Sequence, residues 1–217
     1  MSKKLLMLMS VLLLASFAGA DLDIGEDYKV PDIPPIKVME DGKEVVITLA
    51  DAFEYHGHPC PGVCIGFRAL TYAIEHLWGD TIPEREDLIV FSRGPMCGVV
   101  DVFTLVTYGD SKVKPDTVTQ ATPGPPIPKG MIAGRDKFWF TIVRKSTGDA
   151  LDIRVNGGLF PKDFFSLKKK VKSKKASDAE KEQLDAYKRE MVRAFPTLPV
   201  AELFEKLVRY QVIMWGI

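Results

Sequence analysis

Apolar residues recur in blocks whose spacing alternates between strand-like and helix-like, and the changes of period mark out the elements. Ile36-Lys37-Val38-Met39-Glu40 and Glu44-Val45-Val46-Ile47-Thr48 are β-prone runs around Asp41-Gly42-Lys43, which predicts a hairpin. Thr48 is placed to cap a short helix over Leu49–Tyr55. A long helix is expected from Pro61 to Trp78, with proline at its first position and Gly79 ending it. Leu88–Ser92 is a compact apolar run, expected as a buried strand, and a second helix follows from Cys97 to about Tyr108.

The later half predicts a short strand at Thr117–Gln120 and then a stiff loop. That loop, Thr122 to Gly130, holds four prolines and two glycines and is unsuited to a sheet interior. Lys137–Arg144 and Ala150–Val155, joined across Ser146-Thr147-Gly148-Asp149, form the clearest hairpin. A basic run at Lys168–Lys175 precedes a charged helix, Ser177–Ala194, capped by Ser177 or Asp178 and broken by Pro196 and Pro199. The last element is expected as an amphipathic helix, Val200–Met214, with Leu203, Phe204, Leu207, Val208 and Val212 on its apolar face. The fold class is therefore α+β: an antiparallel or mixed sheet packed with two or more helices, plus a C-terminal helical extension. The expected divisions are a signal peptide at 1–20, an arm and hairpin at 21–48, an α+β core at 49–165 and a helical segment at 166–217.

The signal-peptide assignment rests on Lys3 and Lys4 before the apolar run Leu5–Leu14 and on the small-residue pattern Ala18-Gly19-Ala20. The apolar run is short for a spanning helix, so cleavage after Ala20 and a periplasmic or extracellular location are expected. Arg plus Lys and Asp plus Glu each number 29, so no overall field points to nucleic acid, or to a membrane once the signal is removed. The lysine run at 168–175, taken alone, reads more simply as a solvated face.

Chemistry concentrates in Tyr55-His56-Gly57-His58-Pro59-Cys60-Pro61-Gly62-Val63-Cys64, which holds two of the three histidines and two of the three cysteines. His56, His58 and Cys60 alternate, so an extended backbone would project them to one side. Cys60 also precedes a helix N-terminus, which favours a thiolate. Cys97 heads the second helix, with Asp101 four residues on along the same face. Imidazole and thiolate suit zinc or another transition metal, and Asp101 is a candidate general base beside a reactive Cys60. Lys129, in the proline-rich loop, is offered to an anion or merely ends a rigid connection. With three cysteines at least one stays unpaired, and Cys60–Cys64 is the candidate disulfide by spacing.

His56-Gly57-His58-x-Cys60-Pro61-Gly62, followed by Gly66-x-Arg68-Ala69 and later Cys97-Gly98-Val99-Val100-Asp101, resembles the E-type formylmethanofuran dehydrogenase family. The strand after it, the Lys129-Gly130 turn, the Phe138–Val155 hairpin and Pro199-x-x-Glu202-Leu203-Phe204 follow in the order of that family. The resemblance implies an α+β core, a homodimer and a metal site, often zinc, on His56, His58, Cys60 and Cys97 near Asp101. Pro125 stands where many members place a loop cysteine, and no cysteine follows Cys97, so the C-terminal zinc finger of some members is not expected. An export signal does not suit the cytoplasmic chemistry in the family name. Two functions follow as expectations: an exported metal-binding protein acting on a small molecule, or a non-catalytic carrier of a metal or metallocofactor serving a redox enzyme. Thiol redox work through Cys60 and Cys64 ranks third.

Overall fold

The computed structural model describes residues 24–25, 28–92, 96–109 and 138–212. The signal segment, the strand expected at Thr117–Gln120, the proline-rich loop and Lys129 lie outside those residues.

Strands β1 (Ile36–Glu40) and β2 (Lys43–Ile47) form the first hairpin, with Glu40 opposite Lys43. The turn needs left-handed backbone at both central positions, and Asp41 and Gly42 adopt it at φ 51 and 74°. Helix α1 (Leu49–His56) opens on a capping box: Thr48 Oγ1 accepts from the Asp51 N–H, and the Asp51 carboxylate accepts from the Thr48 N–H. Helix α2 (Pro61–Trp78) starts at the proline and ends at Gly79. Strand β3 (Leu88–Ser92) and helix α3 (Cys97–Tyr108) follow within their expected bounds.

Strands β4 (Trp139–Arg144) and β5 (Asp149–Val155) form the second hairpin, and helices α4 (Phe164–Lys172) and α5 (Asp178–Ala194) form a helical pair. After the single turn α6 (Val200–Leu203), the expected terminal helix gives way to a strand, β6 (Phe204–Gln211). The apolar spacing at 203, 204, 207 and 208 is compatible with either period over so short a run. Pairing decides it. Without β6, strand β5 would carry an open row of backbone donors and acceptors; with it, seven residues of β5 gain partners, from Asp149 opposite Gln211 to Val155 opposite Phe204.

The four-stranded sheet is antiparallel throughout, in the order β3-β4-β5-β6. One face carries Val90, Phe140, Ile142, Leu151, Ile153 and Val155 into the main core, where they meet Phe67, Leu70 and Ala73 of α2 and Phe103 of α3. The α+β class expected from the sequence is the one observed. Two buried or half-buried guanidinium groups lock the layers. Arg85 Nη1 donates to the Leu105 and Val106 carbonyls at the open end of α3, at 2.6 and 2.7 Å. Arg68 on α2 donates to the Pro196 and Leu198 carbonyls and so holds the turn after α5.

Helices α2 and α3 cross closely because glycine occupies the contact on both. A Cβ added at Gly66 would fall 3.1 Å from Val99 Cα; one at Gly98 would fall 2.8 Å from Val63 N and 3.2 Å from Cys60 Sγ. The Gly98→Ala variant tests this crossing. Alanine would favour the helix by up to about 1 kcal/mol, but the clash is with backbone and overpacking costs about 1–3 kcal/mol. The expected outcome is a net loss of stability, read as a lower urea midpoint at unchanged m-value.

Candidate metal and thiolate site

The site is assembled where α1 ends, α2 begins and α3 packs across both. His56 is the last residue of α1, and Gly57 terminates that helix in the left-handed region at φ 94°, its N–H bonded back to the Phe53 and Glu54 carbonyls. His58 and Pro59 then lead to Cys60, the extended N-cap of α2. The three side chains thus converge through a helix end and a glycine turn, not through the continuous extended segment expected from their alternation. The convergence itself holds: one ligand atom from each of His56, His58 and Cys60 lies within 4.8 Å of the others. The two imidazole rings sit 4.5 Å apart, tilted by 40°.

Asp101 reaches this group from the second turn of α3. Its Oδ2 lies 2.6 Å from His56 Nδ1, with the His56 side chain 8% exposed and that of Asp101 31% exposed. A carboxylate can only accept, so the Asp101 contact fixes the proton on Nδ1 and turns the other ring nitrogen toward Cys60. Asp101 is therefore placed as the orienting partner of His56.

The electrostatics follow from these contacts. Burial works against protonated His56, but hydrogen bonds with Asp101 and Cys60 outweigh it and raise its pKa to about 9. Burial likewise pushes the Cys60 thiol up, and hydrogen bonds from His56 and His58, the His56 charge and the Gly62 N–H bring it down to about 6. In the metal-free protein the pair is a thiolate facing an imidazolium. Cys64, one helical turn further along α2, is fully buried, and burial holds its thiol well above the ordinary value. All three cysteines are free thiols.

The donor set fits a borderline-soft metal. Ligand atoms around tetrahedral zinc lie about 3–4 Å apart, as bonds of about 2.0–2.3 Å require, so side-chain rotation alone would close the trio. Cys97 is exposed at the first position of α3 and stands outside the group of three. Its neighbour Gly98 borders the Cys60 sulfur instead. Sequence reasoning missed the positioning roles of Gly57 and Gly98; the signal available was a glycine beside a candidate ligand in each case.

Alkylation of the metal-free Cys97→Ser protein reads the Cys60 thiolate directly. Deprotonation rises as pH climbs, so the iodoacetamide rate is expected to climb through about pH 6 and level off by pH 8. An unshifted thiol would still be gaining rate toward pH 9. Cys64 should stay unmodified until the protein is unfolded, as mass spectrometry of the peptides would show.

No curated protein matches the chain. A family model described as FmdE, Molybdenum formylmethanofuran dehydrogenase operon, matches residues 55–205, a span that holds His56, His58, Cys60, Cys97 and Asp101 and reaches into β6. With about seven-tenths of its length covered, and with the histidine–cysteine trio and its aspartate in place, the chain belongs to the FmdE family.

Proposed function

We propose that this is an exported metal-binding protein in which His56, His58 and Cys60 hold zinc or another transition metal and leave a coordination position open to a small molecule. The observation that carries this is the trio itself, two imidazoles and a thiolate within 4.8 Å, with a carboxylate on the far nitrogen of His56. A carboxylate–histidine pair behind a ligand is the usual device for fixing ring orientation and raising basicity. Three protein ligands with an open position is the arrangement of catalytic sites, whereas closed four-ligand sites are structural. Bound metal would supply Lewis acidity to whatever occupies the open position. The chain's own part is to hold the ligands deprotonated and oriented, the thiolate by the α2 N-terminus and His56 by Asp101. The non-catalytic alternative is a carrier in which Cys97 swings in as fourth ligand. Export from the cell and homodimer formation belong to the same proposal, supported by the N-terminal pattern and by the resemblance of the motifs.

A second reading has its own observation. Cys60 at a helix start, His56 beside it and Asp101 on His56 form the order of a thiolate nucleophile with an oriented imidazole. Metal and nucleophile compete for the same sulfur, so one experiment separates them.

Elemental analysis of untagged protein is expected to give one metal per chain. Cys60→Ser and His58→Ala should abolish it, while Asp101→Asn should weaken affinity about 10–100-fold. Retention of metal by Cys97→Ser supports the open three-ligand site, and its loss supports the carrier. Protein without metal that is inactivated by one equivalent of iodoacetamide at Cys60 would overturn the metal assignment in favour of the nucleophile.

A further inference from the structure

Charge is balanced over the whole chain but not over its surface. Between Lys162 and Lys175 there are seven lysines and a single acid, Asp163. Helix α4 turns Phe164 and Leu167 into the core and leaves Lys168, Lys169, Lys170 and Lys172 exposed, with Lys174 and Lys175 exposed just beyond it. The neighbouring helix does not neutralise them. On α5 the acids are largely matched within the helix: Lys181 with Asp178 at 2.7 Å, Lys188 with Asp185 at 2.6 Å, and Arg189 with Glu182. Only Glu180 crosses over, to Lys170, and Asp163 accepts from Gln183. Among the described residues Lys162, Lys168, Lys169, Lys172, Lys174 and Lys175 have no acidic partner.

Two features show that this charge opposes local stability. Lys168 and Lys172 are neighbours at i,i+4 on one exposed face, as are Lys169 and Lys172 at i,i+3, and like charges so placed repel. A helix C-terminus favours cations, but each further lysine repels those already there. Helix α4 also closes in a Schellman motif, the Lys175 N–H bonded to the Lys170 carbonyl and the Lys174 N–H to the Val171 carbonyl. That motif requires a left-handed residue, and lysine occupies the position at φ 57°, where glycine carries no steric penalty.

We propose that α4 and the turn after it form a docking surface for an anionic phospholipid bilayer. The stretch from residue 155 to residue 188 contains no arginine, so it offers point charges on flexible stems and no bidentate fork for a base edge or a single phosphate. Its aromatic residues face inward, Phe160, Phe164 and Phe165 packing on one another and on Phe138, so none is presented for stacking on a base. A cluster of four to eight lysines on an exposed helix is the pattern that a diffuse anionic surface attracts. Among the described residues no helix is long and apolar enough to cross a membrane, so the contact is peripheral. The near-zero net charge argues only against a field over the whole protein; within the Debye length of about 10 Å the local excess governs.

The test compares the full chain with its Lys168→Gln/Lys169→Gln/Lys172→Gln variant, so that the apolar N-terminal run contributes equally to both. Cosedimentation uses phosphatidylcholine vesicles with and without phosphatidylglycerol. On the anionic vesicles the variant should bind about a hundredfold more weakly at low salt, from about 1 kcal/mol per lysine. That difference should shrink as salt is raised and be absent on phosphatidylcholine alone. The variant should unfold at the same urea concentration or a higher one, since it removes repulsion from an exposed face. Should it fail to fold, Lys174→Gly, which relieves the left-handed strain, is expected to fold and to lose about fivefold in vesicle binding. Equal binding of variant and parent to the anionic vesicles would overturn the proposal. So would a parent protein that prefers duplex DNA to vesicles at equal phosphate concentration.

Discussion

The close crossing of α2 on α3 is the constraint on which the site depends. Gly62, Gly66 and Gly98 remove the Cβ atoms that would hold the two helices apart, and Gly98 lies against both Val63 and the Cys60 sulfur. At that separation α3 carries Asp101 to within 2.6 Å of His56, although 45 residues separate them in sequence. Push the helices apart by the thickness of a methyl group and the carboxylate leaves the imidazole. His56 would then lose both its fixed tautomer and the hydrogen bond that most favours its charge.

The remaining structure holds this crossing in place. Arg85 satisfies the last carbonyls of α3, which no helix can satisfy for itself, and its Nε approaches Glu40 of the first hairpin at 3.3 Å. Arg68 fixes the far side of α2 to the turn after α5. The sheet supplies a flat apolar surface beneath α2, with Phe103 of α3 and Phe140 of β4 in edge contact at 5.3 Å. Each ligand therefore comes from the end of a rigid element, where a helix terminus leaves backbone N–H groups free to stabilise a thiolate. The same economy explains why metal and nucleophile are rival uses of Cys60: both draw on a sulfur held as thiolate by its surroundings.

The lysine surface on α4 is a different sort of feature. It opposes local stability through like-charge neighbours and a left-handed lysine, and it lies on a helix whose inward face is ordinary core. Stability arguments account for Phe164 and Leu167 there but not for the row of cations outside them.

Local chemistry was legible in the sequence wherever one residue type forces one geometry. Asp41-Gly42 fixed the first turn, Thr48 and Ser177 fixed helix starts, Pro61 and Gly79 bounded α2, and the alternation of Gly57 with two histidines marked the site. Element bounds followed because caps and turns are decided by residues within a few positions of one another. Three matters were decided only in three dimensions. Phe204–Gln211 became a strand because β5 needed a partner, a requirement invisible in its own ambiguous spacing. Asp101 became the partner of His56, and Cys97 stayed exposed outside the trio, because the helix crossing sets which side of α3 faces α1. The lysines of α4 stayed unneutralised because the acids of α5 lie nearer to cations of their own helix. Sequence carries short-range sterics and hydrogen bonding; which distant groups share a hydrogen bond, a strand edge or a counter-charge depends on distances that exist only after packing.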